Sequence, residues 1–235
     1  MLSTCLWSRE RLLEAFKRLS ERYTIDASSF VALKALANRG NALEILVAIV
    51  LSQNTSDRNA VRAYERLREA LGGSITSRAI LSTPREVIEE AIRCAGQQRR
   101  RASTIYALAK ALPDDGRALL EKLSTLDVEE GRRILMSLPG VGRKTADVFL
   151  LMVLDKRTFP VDTHITRVSR RWGLVPPSAG YEDIRLCVLR LMEAEPVESL
   201  KRLHLLMIQH GREVCRAREP ACSKCFLDDV CARAL

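Results

Sequence analysis

The stretch Leu138-Pro139-Gly140-Val141-Gly142-Arg143-Lys144-Thr145-Ala146 decides how the rest of this chain is read. Two glycines flank one valine, which lets the backbone turn within a few residues and come close to a ligand. After the turn, Ala146, Phe149, Leu150 and Val153 fall on one apolar stripe at helical spacing, so a helix starts near Arg143. Before it, Asp127 with Glu130 marks the start of a helical segment that ends near Leu138. Residues 127–154 therefore read as two helices joined by a very short connection, the second aiming its free N–H groups and positive dipole end toward the turn. A phosphate suits that position, although a plain helix-helix turn is the ordinary alternative for Gly-x-Gly. A Walker loop is excluded, because Gly142-Arg143-Lys144-Thr145 follows the helical segment Ile134 to Leu138 and not a strand.

Outward from this hairpin, apolar residues recur every three or four positions and no alternating run marks a sheet, which predicts an all-α protein. Thr83-Pro84-Arg85-Glu86 has the pattern of a helix start, with Thr83 as N-cap and Glu86 completing a capping box. Val175-Pro176-Pro177-Ser178 interrupts the helical pattern after Trp172. At 235 residues and 47% hydrophobic content the chain can bury one large core or two modest ones, and composition alone shows no boundary between them. The opening residues lack the apolar core of a signal peptide, and Ile45 to Leu51 and Val148 to Leu154 are too short to span a bilayer. The expectation is a soluble intracellular protein of cytoplasm or nucleoid, without a membrane partner.

A net charge of +9, from 38 Lys and Arg against 29 Asp and Glu, points toward a polyanionic partner. The clusters Arg99-Arg100-Arg101, Arg143-Lys144 and Arg170-Arg171 have the form of a phosphate footprint, and singly each also reads as a solvated helix face. Lys144 stands near a helix N-terminus, whose positive field opposes the ammonium charge, so a neutral nucleophilic amine is plausible there. Asp162, in Val161-Asp162-Thr163-His164, precedes another helical stretch and has the position of an N-cap.

Seven cysteines are present. Four crowd into Cys215-x6-Cys222-x2-Cys225-x5-Cys231, and thiolates at this spacing imply a metal site, iron-sulfur or zinc. Cys5, Cys94 and Cys187 are scattered and read as small packing residues; a secreted disulfide framework is not expected. His204 and His210 fall on different faces of one helix and His164 stands apart, so the histidines form no metal triad.

Taken in order, the hairpin stretch, Val161-Asp162-Thr163-His164, His210-Gly211-Arg212 and the four-cysteine run resemble the helix-hairpin-helix DNA glycosylases of the endonuclease III family. Leu51-Ser52-Gln53-Asn54-Thr55-Ser56-Asp57 and Gly96-Gln97-Gln98-Arg99 resemble two further family segments, so the likeness covers nearly the whole chain. The resemblance implies a two-lobed helical fold: a six-helix barrel domain over residues 36–156, and a second domain from 1–35 and 157–235 that carries a 4Fe-4S cluster loop at 215–231. It implies a base-excision repair enzyme, monomeric, that flips damaged bases out of double-stranded DNA. Oxidised pyrimidines such as thymine glycol are the family's usual lesions, and mismatched uracil or thymine is a further class. Lys144 is then the nucleophile and Asp162 its assistant; Gly140, Val141, Gly142 and Arg143 meet the DNA backbone; Asn54 and Gln97 fill the gap left by the flipped nucleotide; and Cys215, Cys222, Cys225 and Cys231 bind the cluster. Gln97 departs from the family, in which the wedging residue is often apolar. The rivals are a monofunctional mismatch glycosylase, which carries another residue in place of Lys144, and a non-catalytic DNA-binding protein with a metal-stabilised tail.

Overall fold

The computed structural model describes residues 5–26, 28 and 30–233, and among them no residue lies in a strand. The all-helical expectation is met. Among the described residues thirteen α-helices follow one another: α1 (Arg9–Arg22), α2 (Val31–Ala37), α3 (Ala42–Ser52), α4 (Asp57–Ala70), α5 (Ser77–Ser82), α6 (Arg85–Ala91), α7 (Gln98–Ala111), α8 (Arg117–Thr125), α9 (Val128–Met136), α10 (Arg143–Leu154), α11 (Thr163–Trp172), α12 (Tyr181–Leu191) and α13 (Val197–Glu213). Among the described residues no helix is long and apolar enough to cross a membrane. The chain divides into a central unit, Asp26–Leu154, and a terminal unit built from the two ends of the chain, up to Ile25 and from Asp155 onward. The central unit thus begins ahead of residue 36. Six of its helices have nine residues or more, while α2, α5 and α6 have six or seven.

In the central unit α3 is apolar on every side, and each residue from Ala42 to Leu51 is buried. A helix with no polar face belongs at the middle of a core; α2, α4, α7, α8 and α10 all pack against it. Its one buried charge, Glu44, is met by the Tyr64 hydroxyl, which donates to it at 2.6 Å, and by Arg68 at 3.2 Å. Side-chain oxygens of Asn41, Ser56, Thr76 and Asp127 accept from the amides three residues on and start α3, α4, α5 and α9. Thr83 behaves differently from its sequence pattern. It closes α5, its hydroxyl donating to Ala79 O at 2.8 Å, and α6 starts after Pro84 without a side-chain cap. A β-hydroxyl between two closely spaced helices can serve either one, and here the preceding helix takes it.

The terminal unit corrects the reading of two cysteines. Cys5 and Cys187 form a disulfide, with Cα atoms 5.4 Å apart across a separation of 182 residues. The pairing follows from how the chain start docks. Leu6 N donates to Leu174 O at 2.9 Å, Trp7 Nε1 donates to Trp172 O at 3.1 Å, and the two indoles stack 5.5 Å apart. These contacts carry Cys5 to α12, where Cys187 is buried. No spacing rule reveals a pair so distant in sequence. Cys94 is free and partly buried.

A bridge closing so long a loop removes much freedom from the unfolded chain, on the order of 2–4 kcal/mol of stability. Cys5→Ser should therefore lower the thermal midpoint of the full protein, and reductant should lower that of the native chain but not of the variant. Equal midpoints with and without the bridge would show that docking of Trp7 alone holds the segment.

Candidate functional site

The hairpin is built from both sides. Asp127 caps α9, its Oδ1 accepting from Glu130 N at 2.8 Å. The start of α10 is anchored by the buried run Thr145–Leu151. Between the two helices Arg132 lies 3.1 Å from Asp147, both nearly inaccessible to solvent, so an ion pair inside the core fixes one helix against the other. The turn closes through Val141 N, which donates to Leu138 O at 3.2 Å, while the Val141 side chain is buried. Val141 therefore meets the core and leaves only its backbone for a ligand.

The two glycines have different reasons. Gly140 has φ +73°, and a Cβ there would lie 2.3 Å from Thr104 Cγ2 of α7. An added Cβ on Gly142 would meet nothing within 4 Å, and its carbonyl accepts from Ala146 N as α10 begins. Gly140 is thus required by the fold, whereas Gly142 opens the surface beside the helix N-terminus, the arrangement by which a phosphate reaches free backbone N–H groups. Arg143 is exposed there, and Lys144, in the first turn of α10, is partly buried.

Two exposed residues project from neighbouring loops of the same unit. Asn54 follows α3 and Gln97 precedes α7, and both have φ 51°, the left-handed region that a non-glycine residue adopts only when its surroundings hold it. Gln53, next to Asn54, donates through Nε2 to Gly140 O at 3.2 Å and Thr145 Oγ1 at 3.3 Å, joining this loop to the hairpin. The basic triplet beside Gln97 does not form one face. Arg99 and Arg100 are exposed, while Arg101 is buried and bonded to main-chain carbonyls. Arg170 and Arg171 likewise tie loops, donating to Ala179 O and to Arg216 O and Ala217 O.

In the terminal unit Asp162 is the N-cap of α11, its Oδ1 accepting from Ile165 N at 2.7 Å. The segment before it is held by His204, whose Nδ1 donates to Pro160 O at 3.1 Å. His164 packs so closely on α13 that a Cβ on Gly211 would sit 2.9 Å from its own Cβ. Burial pushes the His164 imidazole below its ordinary pKa, in keeping with its Nδ1 accepting from Arg167 Nη2 at 3.1 Å. The same guanidinium donates to Gly211 O at 2.7 Å and Cys215 O at 2.9 Å. Asp162, the His210-Gly211-Arg212 segment and the first clustered cysteine are therefore fixed relative to one another.

Cys215, Cys222, Cys225 and Cys231 line one cavity with Trp172, His210 and Arg171, and none of the four is in a disulfide. Sulfur acceptors there have donors. Arg171 Nη1 lies 3.7 Å from Cys215 Sγ, and Arg233 N donates to Cys231 Sγ at 3.3 Å. Burial pushes the Cys225 and Cys231 thiols above their ordinary range, and the other cysteines push the same way. Burial also holds His210 down at about 4, so it adds no charge near neutral pH. Thiolates in this cavity need a positive partner among them, as a metal group provides. Among the described residues no three His, Cys, Asp or Glu side chains meet at a single-ion geometry.

Residues 47–193 match the model of the HhH-GPD superfamily base excision DNA repair proteins. The endonuclease III of Sulfolobus acidocaldarius is 35% identical over 218 residues, covering 93% of this chain and 94% of its own. This chain belongs to the endonuclease III family. In fold it is similar to a solved non-covalent endonuclease III-DNA complex, with a TM-score of 0.76, 26% identity and 97% coverage of both chains. A trapped covalent endonuclease III-DNA intermediate with an estranged adenine is similar at a TM-score of 0.75 and 26% identity, covering 97% of this chain and 98% of that one. The helix-hairpin-helix and the repair class expected from sequence are thereby established. The sequence groups Arg101 with a phosphate-facing cluster, since a buried arginine and an exposed one look alike in the run Arg99-Arg100-Arg101, and it gives Gln53 and Thr104 no role of their own.

The two hairpin glycines give a paired test. Gly142→Ala should leave thermal stability unchanged and weaken duplex binding at every sequence, because backbone contacts carry affinity and not base readout. Gly140→Ala should lower stability by about 1–3 kcal/mol through overpacking and left-handed strain. A Gly142→Ala protein that binds like wild type, measured by fluorescence anisotropy at fixed salt, would remove the turn from the interface.

Proposed function

We propose that this chain removes damaged bases from duplex DNA and then cuts the abasic strand, with Lys144 as nucleophile and oxidised pyrimidines such as thymine glycol as substrates. Membership of the endonuclease III family carries the glycosylase and lyase reading, and the position of Lys144 in the first turn of α10, two residues beyond the open surface at Gly142, supports the residue assignment. The flipped nucleotide presents its anomeric carbon, which is unreachable within the stack. The Lys144 amine bonds to that carbon as the glycosidic bond breaks; the base leaves with the bonding pair and takes up a proton, and the amine gives one up. The nitrogen lone pair then forms the C1′=N bond as the C1′–O4′ bond breaks, O4′ leaving with the pair of that bond and taking up a proton, so the sugar ring opens to a protonated imine. Loss of a C2′ proton to a base then expels the 3′ phosphate, which leaves with the C–O pair and completes β-elimination. Asp162 assists the nucleophile, while its Oδ1 bond to Ile165 N holds the carboxylate in place.

The four-cysteine cavity supports a 4Fe-4S cluster held by Cys215, Cys222, Cys225 and Cys231. When bound, the cluster supplies positive charge to the thiolates and a staple to a loop with little core of its own. The partner is double-stranded DNA containing a lesion, as supported by the DNA-bound neighbours.

An imine intermediate makes the reaction testable, since borohydride reduces it to a stable bond that water-activating enzymes never form. Wild-type protein with thymine glycol or abasic-site duplex should give a covalent adduct that survives denaturation. Lys144→Gln should abolish the adduct and keep DNA binding, and Asp162→Asn should slow base removal more than it weakens binding. Base removal without an adduct would transfer the chemistry to activated water. For the cluster, anaerobically purified protein should contain about four iron atoms per chain, and Cys222→Ser should lose them; stoichiometric zinc in place of iron would overturn that part.

A further inference from the structure

Arg101 is among the few charged side chains buried in the protein, with 5% of its surface exposed. Its acceptors are main-chain carbonyls at two places in the chain, the end of α3 and the turn before α7. Nη1 donates to Val50 O at 2.5 Å and Nη2 donates to Gln53 O, both at the C-terminal end of α3. Nε donates to Gly96 O at 2.8 Å and Nη2 also reaches Ala95 O at 3.3 Å, in the loop before α7. Asn54 is the residue after Gln53, and Gln97 is the residue after Gly96. One planar guanidinium therefore joins the peptide units directly preceding the two exposed left-handed residues.

Burying a guanidinium is costly unless its N–H groups are satisfied. Here it is met by carbonyls at a helix end, where the backbone dipole is negative. Such a bond set resists being pulled apart, because separating the loops would leave buried donors and acceptors unpaired together. The clamp also extends further. Gln53 passes from the Arg101 bond to Gly140 O and Thr145 Oγ1, and Thr104, one turn along α7 from Arg101, is the side chain that Gly140 abuts.

We infer that Arg101 is a positioning residue for lesion recognition, holding the Asn54 and Gln97 loops in a fixed relation to each other and to the hairpin so that both side chains enter the duplex together. The assignment of Asn54 and Gln97 as gap-filling residues rests on the proposed function; the clamp itself does not. Arg101 touches no reacting atom. Its removal should spare chemistry at an already exposed nucleotide and harm the opening of a stacked one.

The test compares Arg101→Gln, Arg101→Lys and wild type on two substrates. One is thymine glycol in a fully paired duplex; the other is an abasic nucleotide in a single-stranded gap, where no stack has to be opened. Base removal from the duplex should fall about 100-fold in Arg101→Gln, mainly in kcat, while borohydride trapping on the gapped strand falls by less than about 3-fold. Arg101→Lys should lie between, because an ammonium cannot span both loops as a planar fork does. With 2-aminopurine opposite a tetrahydrofuran abasic analogue, saturating wild type should brighten the estranged base and Arg101→Gln should not. Equal losses on the two substrates would make Arg101 merely structural, and unchanged duplex activity would overturn the inference. If Arg101→Gln does not fold, Arg101→Lys carries the same comparison, and wild-type behaviour in Arg101→Lys refutes the clamp. Failure of wild type to trap at all would sink the Lys144 reading alone, since the fluorescence comparison needs no chemistry.

Discussion

The contact of Gly140 with Thr104 is the constraint around which the central unit is arranged. With a Cβ position only 2.3 Å from the threonine methyl and φ at +73°, any side chain at 140 would force Thr104 or the turn to shift. That approach sets the height of the turn, and the turn sets where α10 begins and where Lys144 stands. Burial of Thr145–Leu151 then holds α10 along its length, and the Arg132–Asp147 pair holds its register on α9. An ion pair inside a core adds little net stability compared with an apolar replacement, but losing one partner is costly. It acts here as a register pin between two helices whose relative placement has to be fixed.

The terminal unit achieves the same end by different means. α11 carries Asp162 at its start, and Arg167 and Arg171 bind the segment that leads into the cysteine loop. Each guanidinium has several donors in one plane, so one side chain holds more than one carbonyl. Anything that stiffens the cysteine loop is therefore transmitted through Cys215 O and Gly211 O to the helix that positions Asp162. The Trp7–Trp172 stack braces the other end of that helix, and the Cys5–Cys187 bridge fastens the same N-terminal segment to α12.

What was legible from sequence follows from how local each interaction is. The caps at Asp127 and Asp162, the start of α10 and the break after Trp172 depend on residues within four positions of one another, and they stand where the pattern puts them. Thr83 departs from its local pattern because two short helices compete for one hydroxyl. The Cys5–Cys187 pair and the burial of Arg101 depend on segments 182 and 51 residues apart, and no local pattern encodes such distances. The arginine clusters show the limit clearly: of Arg99-Arg100-Arg101, only the third turns inward, a fact set by where α7 meets α3.

If Asn54 and Gln97 fill the gap as proposed, their polar character gives the clamp its value. An apolar wedge separates base pairs by filling space, and such contacts tolerate some displacement because they have no preferred direction. An amide acts through hydrogen bonds, which weaken steeply once angle and distance depart from their optimum. A site that fills the vacated stack with amides therefore depends more on the rigidity of its supporting backbone than one that uses a leucine. Two left-handed residues on separate loops would be poor candidates for such precision if each loop moved alone. Tied through Arg101 to one another and through Gln53 to the hairpin, they become parts of the same surface as the turn, so that under the proposed function a phosphate seated at Gly142 would bring both amides to the bases together.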